Sequence, residues 1–233
     1  LVYFIFIYKF ILINFLKKLG CKITSFGRKI TILGKSSKKE NIKNKIIFDR
    51  IEGGTFLIAG ALIGRKLIIK DIEPKILKFE LNLLKRMGVK IITTKKSITI
   101  LKSTKLKSIN ISTKPFPGFP TDLQAQLMVL MTQVKGVSKI KENIFENRFM
   151  HVPELKRMGA QIEIRDKTAY IKGPSKLNGA EVMATDLRAS VSLVLAGLIA
   201  DNRTIVNRIY HLDRGYEVLE DKLKNCRANI KRV

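Results

Sequence analysis

The sequence predicts an α/β fold in which the helices lie inside and the sheets lie outside. A segment in which a helix ends and a strand begins recurs about every 70 residues. Several helices of these repeats are apolar on most sides, as in Val191–Ala200, and a helix of that kind has to be buried. Because strands alternate with the buried helices, we expect the strands to form sheets that cover them.

The repeated segment joins the end of a helix to the start of a strand. Its four copies are NFLKKLGCKI from Asn14, NLLKRMGVKI from Asn82, PELKRMGAQI from Pro153 and DKLKNCRANI from Asp221. Gly88 and Gly159 can adopt the positive φ angle that ends a helix. A short strand with alternating apolar residues follows, and after a turn a second strand. The predicted strands are Val89–Thr93, Ser97–Leu101, Gln161–Ile164 and Thr168–Ile171.

Each unit begins with an aspartate in front of an apolar helix. These residues are Asp49, Asp122 and Asp186, and aspartate is a favoured N-cap because its carboxylate accepts free N–H groups of the first turn. A strand, a loop and a second helix follow each first helix. The strands are predicted at Lys66–Lys70, Ser138–Ile144 and Thr204–Ile209. One unit therefore has the order helix, strand, helix, strand, strand, with three copies over residues 47–233 and a fragment of a fourth before them.

The composition favours a globular chain and gives no positive signal for a cofactor. Of the 233 residues 45% are hydrophobic, and the formal net charge is +26. Such a charge is typical of partners that carry negative charge, but the excess is mostly lysine and also fits a compositional drift over solvated faces. Arginine-rich arms and aromatic-basic motifs are absent, so nucleic-acid binding is the less favoured interpretation. Two cysteines and two widely separated histidines indicate neither a disulfide framework nor a metal site.

The first sixteen residues, LVYFIFIYKFILINFL, are almost wholly apolar. This stretch is shorter than the roughly 20 residues of a membrane-spanning helix and lacks the features of a signal peptide. We interpret it as a disturbed junction, with a membrane anchor as the alternative; no membrane partner is expected.

Four polar side chains are candidates for a binding site. Asp122 and Arg188 lie at helix starts, and Arg148 and Arg214 lie in loops between a strand and the second helix of a unit. Arginine beside free helix N–H groups is a good receptor for carboxylate or phosphate. The alternative is structural, with Asp122 as a simple N-cap and the arginines in surface salt bridges.

Four long segments resemble the C-terminal half of the UDP-N-acetylglucosamine 1-carboxyvinyltransferases, a family of enolpyruvyl transferases. They are PGFPTDLQAQ (Pro117–Gln126), FENRFMHVPELKRMGA (Phe145–Ala160), MATDLRAS (Met183–Ser190) and RIYHLDRGYE (Arg208–Glu217). The resemblance implies an inside-out α/β barrel built from βαβαββ units. It also implies two parts of the chain: residues 1–46 as a divergent apolar start with the tail of an otherwise missing domain, and residues 47–233 as an inside-out domain of three units.

The resemblance implies an activity in the bacterial cytoplasm. It predicts transfer of the enolpyruvyl group of phosphoenolpyruvate to the 3′-hydroxyl of UDP-N-acetylglucosamine, the first committed step of peptidoglycan synthesis, without a cofactor. By resemblance Asp122 accepts the hydroxyl proton and binds that hydroxyl. Arg188 and Arg214 hold the phosphoenolpyruvate groups, Arg148 is a cleft arginine on the substrate side, and Ile144 contacts the sugar nucleotide.

Part of the family's site has no match in this sequence. The proton-donating cysteine, the early Lys-Asn pair and the uridine-binding loop all belong to the other domain. We therefore expect the chain to be inactive alone, or active only where a separate chain supplies the N-terminal half. The alternatives are a non-enzymatic remnant or interaction domain and, less favoured, a basic nucleic-acid-binding protein.

Overall fold

The computed structural model describes residues 4–26, 29–33, 41–64 and 66–233. The helices are α1 (Phe4–Lys18), α2 (Arg50–Ile63), α3 (Lys78–Arg86), α4 (Gln124–Thr132), α5 (Val152–Arg157), α6 (Leu187–Gly197), α7 (Tyr210–Asp213) and α8 (Leu219–Asn225). The strands are β1 (Lys22–Phe26), β2 (Lys29–Leu33), β3 (Leu67–Lys70), β4 (Lys90–Thr93), β5 (Ser97–Leu101), β6 (Asn110–Ser112), β7 (Gly136–Lys141), β8 (Gln161–Arg165), β9 (Thr168–Gly173), β10 (Glu181–Met183) and β11 (Ile205–Asn207).

The second unit contains the full βαβαββ order, β6-α4-β7-α5-β8-β9. Its sheet has the spatial order β6-β7-β9-β8, in which β6 and β7 are parallel and β9 is antiparallel to both of its neighbours. Parallel neighbours require a crossover, and α4 is that crossover. The first unit has a three-stranded sheet, β3-β5-β4, and the third a parallel pair, β10-β11.

The first helix of each unit lies in the interior. All nine residues of α4 are buried, and so are ten of α2 and eight of α6. Helix α4 packs against both α2 and α6. Inward residues of the sheets, such as Ile98, Ile100 and Ile171, are fully buried against these helices. The predicted arrangement of helices inside and sheets outside is therefore confirmed.

The four copies of the repeated segment end their helices in the same way. The residue at the glycine position has positive φ in each copy: 90° at Gly20, 94° at Gly88, 99° at Gly159 and 68° at Arg227. The next amide bonds back five residues, as Ala160 N to Leu155 O at 2.9 Å and Ala228 N to Leu223 O at 3.0 Å. These are the bonds of a left-handed helix end, and they confirm the internal repeat.

Two of the predicted strands end earlier than expected. The strand predicted at Ser138–Ile144 ends at Lys141. The Glu142 side chain accepts hydrogen bonds from the amides of Ile144 and Phe145, and these bonds turn the chain. The strand predicted at Thr204–Ile209 ends at Asn207, since Arg208 adopts a φ of 57° and α7 follows. The short strands β6 and β10, which open the second and third units, do not stand out in the sequence.

The structure describes part of residues 1–46, the predicted first part of the chain. Residues 1–3, 27, 28 and 34–40 lie outside the described residues. The rest form α1, the antiparallel pair of β1 and β2, and residues 41–46, which belong to no helix or strand. Within the described part of the chain, no helix is long and apolar enough to cross a membrane. The boundary between residues 46 and 47 stays a prediction.

Candidate functional site

Asp122 lies between two arginines at the start of α4. It belongs to the short 3₁₀ turn Thr121–Leu123 that leads into that helix. Its Oδ1 lies 2.8 Å from Nη2 of Arg148, and its Oδ2 lies 3.1 Å from Nη2 of Arg188. Asp49 and Asp186 behave differently, since each caps its own helix with its carboxylate. The structural alternative of an N-cap therefore holds for those two aspartates and fails for Asp122.

The two arginines come from different units and differ in burial. Arg188 lies in the first turn of α6, whose start is capped by Asp186, and only 16% of its side chain is exposed. Burial lowers the pKa of the Arg188 guanidinium, but attraction to Asp122 and hydrogen bonds with Asp122 and Tyr216 outweigh it and leave the pKa raised. Arg148 lies in the loop after β7, half-buried, with its guanidinium carbon 5.3 Å from the centre of the Phe145 ring.

A buried hydrogen-bond network contacts Arg188 through Tyr216. The Tyr216 hydroxyl lies 2.8 Å from Thr55 Oγ1 and 3.3 Å from Gln126 Nε2. Gln126 also donates to the backbone oxygen of Asp122 at 2.9 Å. Burial raises the pKa of Tyr216, which keeps the hydroxyl protonated and able to donate. Thr55, Gln126 and Tyr216 come from the first, second and third units. This network therefore joins all three units next to the ion pair of Asp122 and Arg188.

Glu142 organises the neighbouring loop. Its carboxylate is buried, with 2% of the residue exposed. Oε1 accepts from Thr113 Oγ1 at 2.7 Å, from the Ile144 amide at 2.8 Å and from the Phe145 amide at 3.3 Å. Oε2 accepts from Thr121 Oγ1 at 2.9 Å. One side chain thus fixes both the residue before Asp122 and the loop that leads to Arg148.

His151 lies at the start of α5, buried close to both Arg148 and Asp186. Burial lowers its pKa to about 4; Asp186 opposes this effect and Arg148 adds to it. The imidazole is therefore neutral at pH 7, and its Nε2 has no hydrogen-bond partner among the described residues.

The structure brings three of the five predicted site residues into direct contact. Asp122, Arg148 and Arg188 form one cluster. Ile144 is half-buried, with its amide bound to Glu142. Arg214 lies at the end of α7 with its side chain exposed, and it makes no ion pair among the described residues. It is two residues from Tyr216, which ties its loop to the same network.

Sequence reasoning missed four supporting residues: Thr55, Gln126, Glu142 and Tyr216. Gln126 and Tyr216 lie inside the quoted segments PGFPTDLQAQ and RIYHLDRGYE. A buried polar residue needs a partner, which is a signal for Gln126 on an otherwise apolar helix. Glu142 carries no signal that separates it from a surface glutamate.

The arrangement suits an anionic ligand. Two guanidiniums share one carboxylate, and the exposed Arg214 lies in the loop that leads to Tyr216. Guanidiniums recognise phosphate and carboxylate with paired hydrogen bonds. Among the described residues, no group of three or more histidines, cysteines or carboxylates could hold a metal ion.

Comparison with known protein families gives a match over almost the whole chain. The model of EPSP synthase (3-phosphoshikimate 1-carboxyvinyltransferase) matches residues 6–223. The chain belongs to this family. The family is one of carboxyvinyl, or enolpyruvyl, transferases, as the four segments indicated.

Curated members of the family are similar over most of this chain. The UDP-N-acetylglucosamine 1-carboxyvinyltransferase of Pelagibacter ubique is 54% identical over 223 residues, which is 95% of this chain and 53% of the relative. The enzyme of that name from Desulfosudis oleivorans is 51% identical over 223 residues, which is again 95% of this chain and 53% of the relative. The chain therefore spans about half the length of the curated relatives it matches.

A solved structure supports the predicted fold. The enolpyruvyl transferase NikO from Streptomyces tendae is 30% identical, with a TM-score of 0.84 over 94% of this chain and 53% of that chain. The inside-out α/β fold predicted from the sequence is thus confirmed by an experimental relative.

Proposed function

We propose that this chain is the C-terminal half of an enzyme that transfers the enolpyruvyl group of phosphoenolpyruvate to the 3′-hydroxyl of UDP-N-acetylglucosamine. This is the first committed step of peptidoglycan synthesis, in the bacterial cytoplasm. The observation that carries the proposal is the Asp122 carboxylate held between Arg148 and Arg188. The curated relatives of that name, at 54% and 51% identity, support the choice of substrate.

Asp122 is proposed to accept the proton of the sugar hydroxyl as that oxygen bonds to C2 of phosphoenolpyruvate. A positioned carboxylate is a suitable general base for this step. Each of its oxygens contacts one guanidinium in the structure and keeps a further lone pair that can accept from a substrate hydroxyl. Arg148 is the more exposed partner, with 25% of its side chain accessible against 16% for Arg188, so we expect the hydroxyl to approach Asp122 from the Arg148 side.

The arginines are proposed to bind the anionic groups. Arg188 is held in place by Tyr216 and by its position in the first turn of α6. It therefore suits the phosphoenolpyruvate phosphate or carboxylate, together with the exposed Arg214. Protonation of C3 and attack at C2 give a tetrahedral adduct, and loss of a C3 proton together with departure of phosphate restores the vinyl group. Fixed guanidiniums stabilise the negative charge that develops on the phosphate as it leaves. Ile144 is proposed to contact the sugar nucleotide, chiefly through the backbone that Glu142 positions.

The proton for C3 is proposed to come from outside this chain, since no residue here matches the family's cysteine donor. We also propose that residues 1–46 complete the other domain and that residues 47–233 form one wall of the cleft. The chain alone should then be inactive, and a partner that supplies the N-terminal half should restore activity.

Reconstitution tests the proposal. The chain is mixed with a separately produced N-terminal half of the Pelagibacter ubique relative, and phosphate release is measured with phosphoenolpyruvate and UDP-N-acetylglucosamine. We expect phosphate only when both halves and both substrates are present. A stable complex of the two halves without phosphate release contradicts the proposed function.

Two variants locate the base. Asp122→Ala should lower the rate of the reconstituted enzyme by about 10²–10⁴, the usual contribution of a general base, with less effect on sugar nucleotide binding. Asp201→Ala is the control, because Asp201 is an exposed carboxylate paired with Lys176 on the surface. Full activity of Asp122→Ala would remove Asp122 from this role.

A further inference from the structure

Arg50 and Glu80 form a buried ion pair in the first unit. Arg50 is the first residue of α2, and Glu80 lies in the first turn of α3. Nη2 of Arg50 lies 2.5 Å from Oε1 of Glu80, and each residue is 3% exposed. A buried ion pair usually adds little stability compared with apolar residues of similar volume. The stability of the first unit therefore does not by itself account for charged residues at these two positions.

The same guanidinium contacts the loop that precedes Asp122. Nη2 of Arg50 donates a hydrogen bond to the backbone oxygen of Gly118 at 3.3 Å. The central carbon of the guanidinium lies 4.8 Å from the centre of the Phe116 ring, within the range of a cation–π contact. A planar guanidinium can make both contacts at once. Arg50 therefore links the first unit to residues 114–120 of the second.

This loop is tightly folded on itself. The Lys114 amide donates to the backbone oxygen of Phe119 at 2.9 Å, and the Gly118 amide donates to that of Pro115 at 2.8 Å. A Cβ atom at Gly118 would lie 2.5 Å from Cβ of Lys114, so this close approach requires glycine. Phe119 is buried. A contact with Gly118 therefore constrains the whole loop up to the residues that lead into α4.

One face of α2 supports both this loop and the turn that carries Asp122. Arg50 and Gly54 are four residues apart, about one helical turn, and so lie on the same face. Helix α2 contacts the turn Thr121–Leu123, and a Cβ atom at Gly54 would overlap the Leu123 side chain. The helix thus holds the loop before Asp122 through Arg50 and the residue after Asp122 through the close approach at Gly54.

We propose that Arg50 is a positioning residue, which holds the loop 114–120 and so sets the place of the Asp122 carboxylate for proton transfer. Glu80 fixes the guanidinium in the required orientation. Glu142 holds Thr121 from within the second unit, and Arg50 adds a support from the first unit. The inference rests on the proposed function for the role of Asp122, but the hold of Arg50 on the loop is measurable in the chain alone.

Two variants separate the hold on the loop from the stability of the ion pair. Arg50→Lys keeps a positive charge beside Glu80 but loses the planar group that contacts both Gly118 and Phe116. The double variant Arg50→Met/Glu80→Leu replaces the pair by apolar side chains of similar volume. It should therefore keep most of the stability of the unchanged chain, while the contacts with the loop are lost. Urea denaturation shows whether each variant folds.

Arg165→Met is the matched control. Nε of Arg165 lies 2.8 Å from Glu163 Oε1, and its guanidinium carbon lies 5.2 Å from the centre of the Tyr170 ring. It therefore makes the same kinds of contact as Arg50, with a carboxylate and an aromatic ring. Its side chain is exposed, on the strand pair β8 and β9. This variant should change neither the loop nor the reaction.

Hydrogen–deuterium exchange of the chain alone tests the hold on the loop. In both Arg50 variants, the amides of Lys114 and Gly118 should exchange at least about ten-fold faster than in the unchanged chain, because the loop opens more often. The amides of β9, in the same unit, report global unfolding and should change less. Unchanged exchange at the loop amides of the folded double variant overturns the proposal. If the double variant does not fold, the same measurement on Arg50→Lys decides.

Kinetics of the reconstituted mixture test the effect on the reaction. Both Arg50 variants should lower kcat by about ten-fold or more, since a small misplacement of a catalytic group is costly. The KM for phosphoenolpyruvate should change by less than about three-fold, because the loop does not contain the anion-binding Arg188 and Arg214. A merely structural pair predicts full kcat for a stable double variant, and that result overturns the proposal.

The outcomes separate this inference from the proposed function. Full kcat or unchanged loop exchange in the Arg50 variants overturns the positioning role and leaves the proposed function standing. A stable complex of the unchanged chain that releases no phosphate contradicts the proposed function. Faster loop exchange in the variants then still supports Arg50 as the residue that holds the loop.

Discussion

The Glu142 carboxylate ties together parts of the site that are distant in the sequence. It accepts hydrogen bonds from Thr113, from Thr121 and from the amides of Ile144 and Phe145. Each of these donors is left without a partner if the carboxylate is removed, and an unsatisfied buried donor costs about 1–3 kcal/mol. The geometry around Asp122 therefore depends on a residue that does not touch it.

Two replacements of Glu142 should show how much its hydrogen bonds contribute to the stability of the chain. We expect Glu142→Ala to lower the free energy of unfolding by about 2–4 kcal/mol, because several donors lose their acceptor. Glu142→Gln keeps one carbonyl oxygen at that place and should cost about half as much. Urea denaturation of the chain measures both values. Equal stability of Glu142→Ala and the unchanged chain would show that the network contributes nothing.

His151 should give the chain a dependence of stability on mildly acidic pH. The pKa of His151 is about 4 in the folded chain, against its ordinary value of 6.5 when the imidazole is exposed to solvent. The unfolded chain therefore binds a proton first as the pH falls, and the stability present above pH 6.5 is lost between pH 6.5 and 4. A difference of that size corresponds to about 3 kcal/mol. Urea denaturation at pH 7.5, 6, 5 and 4.5 measures this loss.

Carboxylates in general titrate near the lower end of that range, so a variant is needed to isolate the histidine. His151→Gln has no titrating imidazole, and its stability should fall less between pH 6.5 and 5 than that of the unchanged chain. An identical fall in both chains would assign the effect to other groups.

At the scale of an element, the four helix ends show the same conformation with different residues. Gly20, Gly88 and Gly159 have positive φ, and Arg227 adopts φ of 68° at the corresponding position. A residue with a Cβ atom in this conformation costs roughly 1 kcal/mol relative to glycine. The fourth helix end is therefore formed against a local conformational preference.

Substitution at these ends should change stability in opposite directions. Arg227→Gly should raise the free energy of unfolding by up to about 1 kcal/mol, reduced by the greater freedom of glycine in the unfolded chain. Gly159→Ala should lower it by about 1 kcal/mol or more, because the added Cβ also lies 3.0 Å from Lys176 O. Thermal and urea denaturation measure both. A loss of stability in Arg227→Gly would point to a contact of the arginine side chain that outweighs its backbone strain.

At the scale of the whole molecule, the site exists because three units meet. The first unit supplies Thr55, the second Asp122, Gln126 and Arg148, and the third Arg188 and Tyr216. The central helices α2, α4 and α6 carry three of these six residues, Thr55, Gln126 and Arg188. Packing of buried helices therefore both fills the core and brings the charged groups together, and the sheets hold the helices from outside.

The sequence by itself determined the repeat, the alternation of helices and strands, and the family. Each of these depends on local patterns: apolar spacing, glycines at helix ends, and long segments such as PGFPTDLQAQ. The aspartates at the helix starts were also readable, although only Asp49 and Asp186 serve as caps.

Only the tertiary structure decided which polar residues act together. Asp122 and Arg188 are 66 residues apart, and Thr55 and Tyr216 are 161 residues apart; no local pattern relates them, because such pairs form only when separate units pack. The strand boundaries likewise depend on tertiary structure. Strand β7 ends at Lys141 because the buried Glu142 carboxylate turns the chain, and β11 ends at Asn207 because Arg208 has a positive φ.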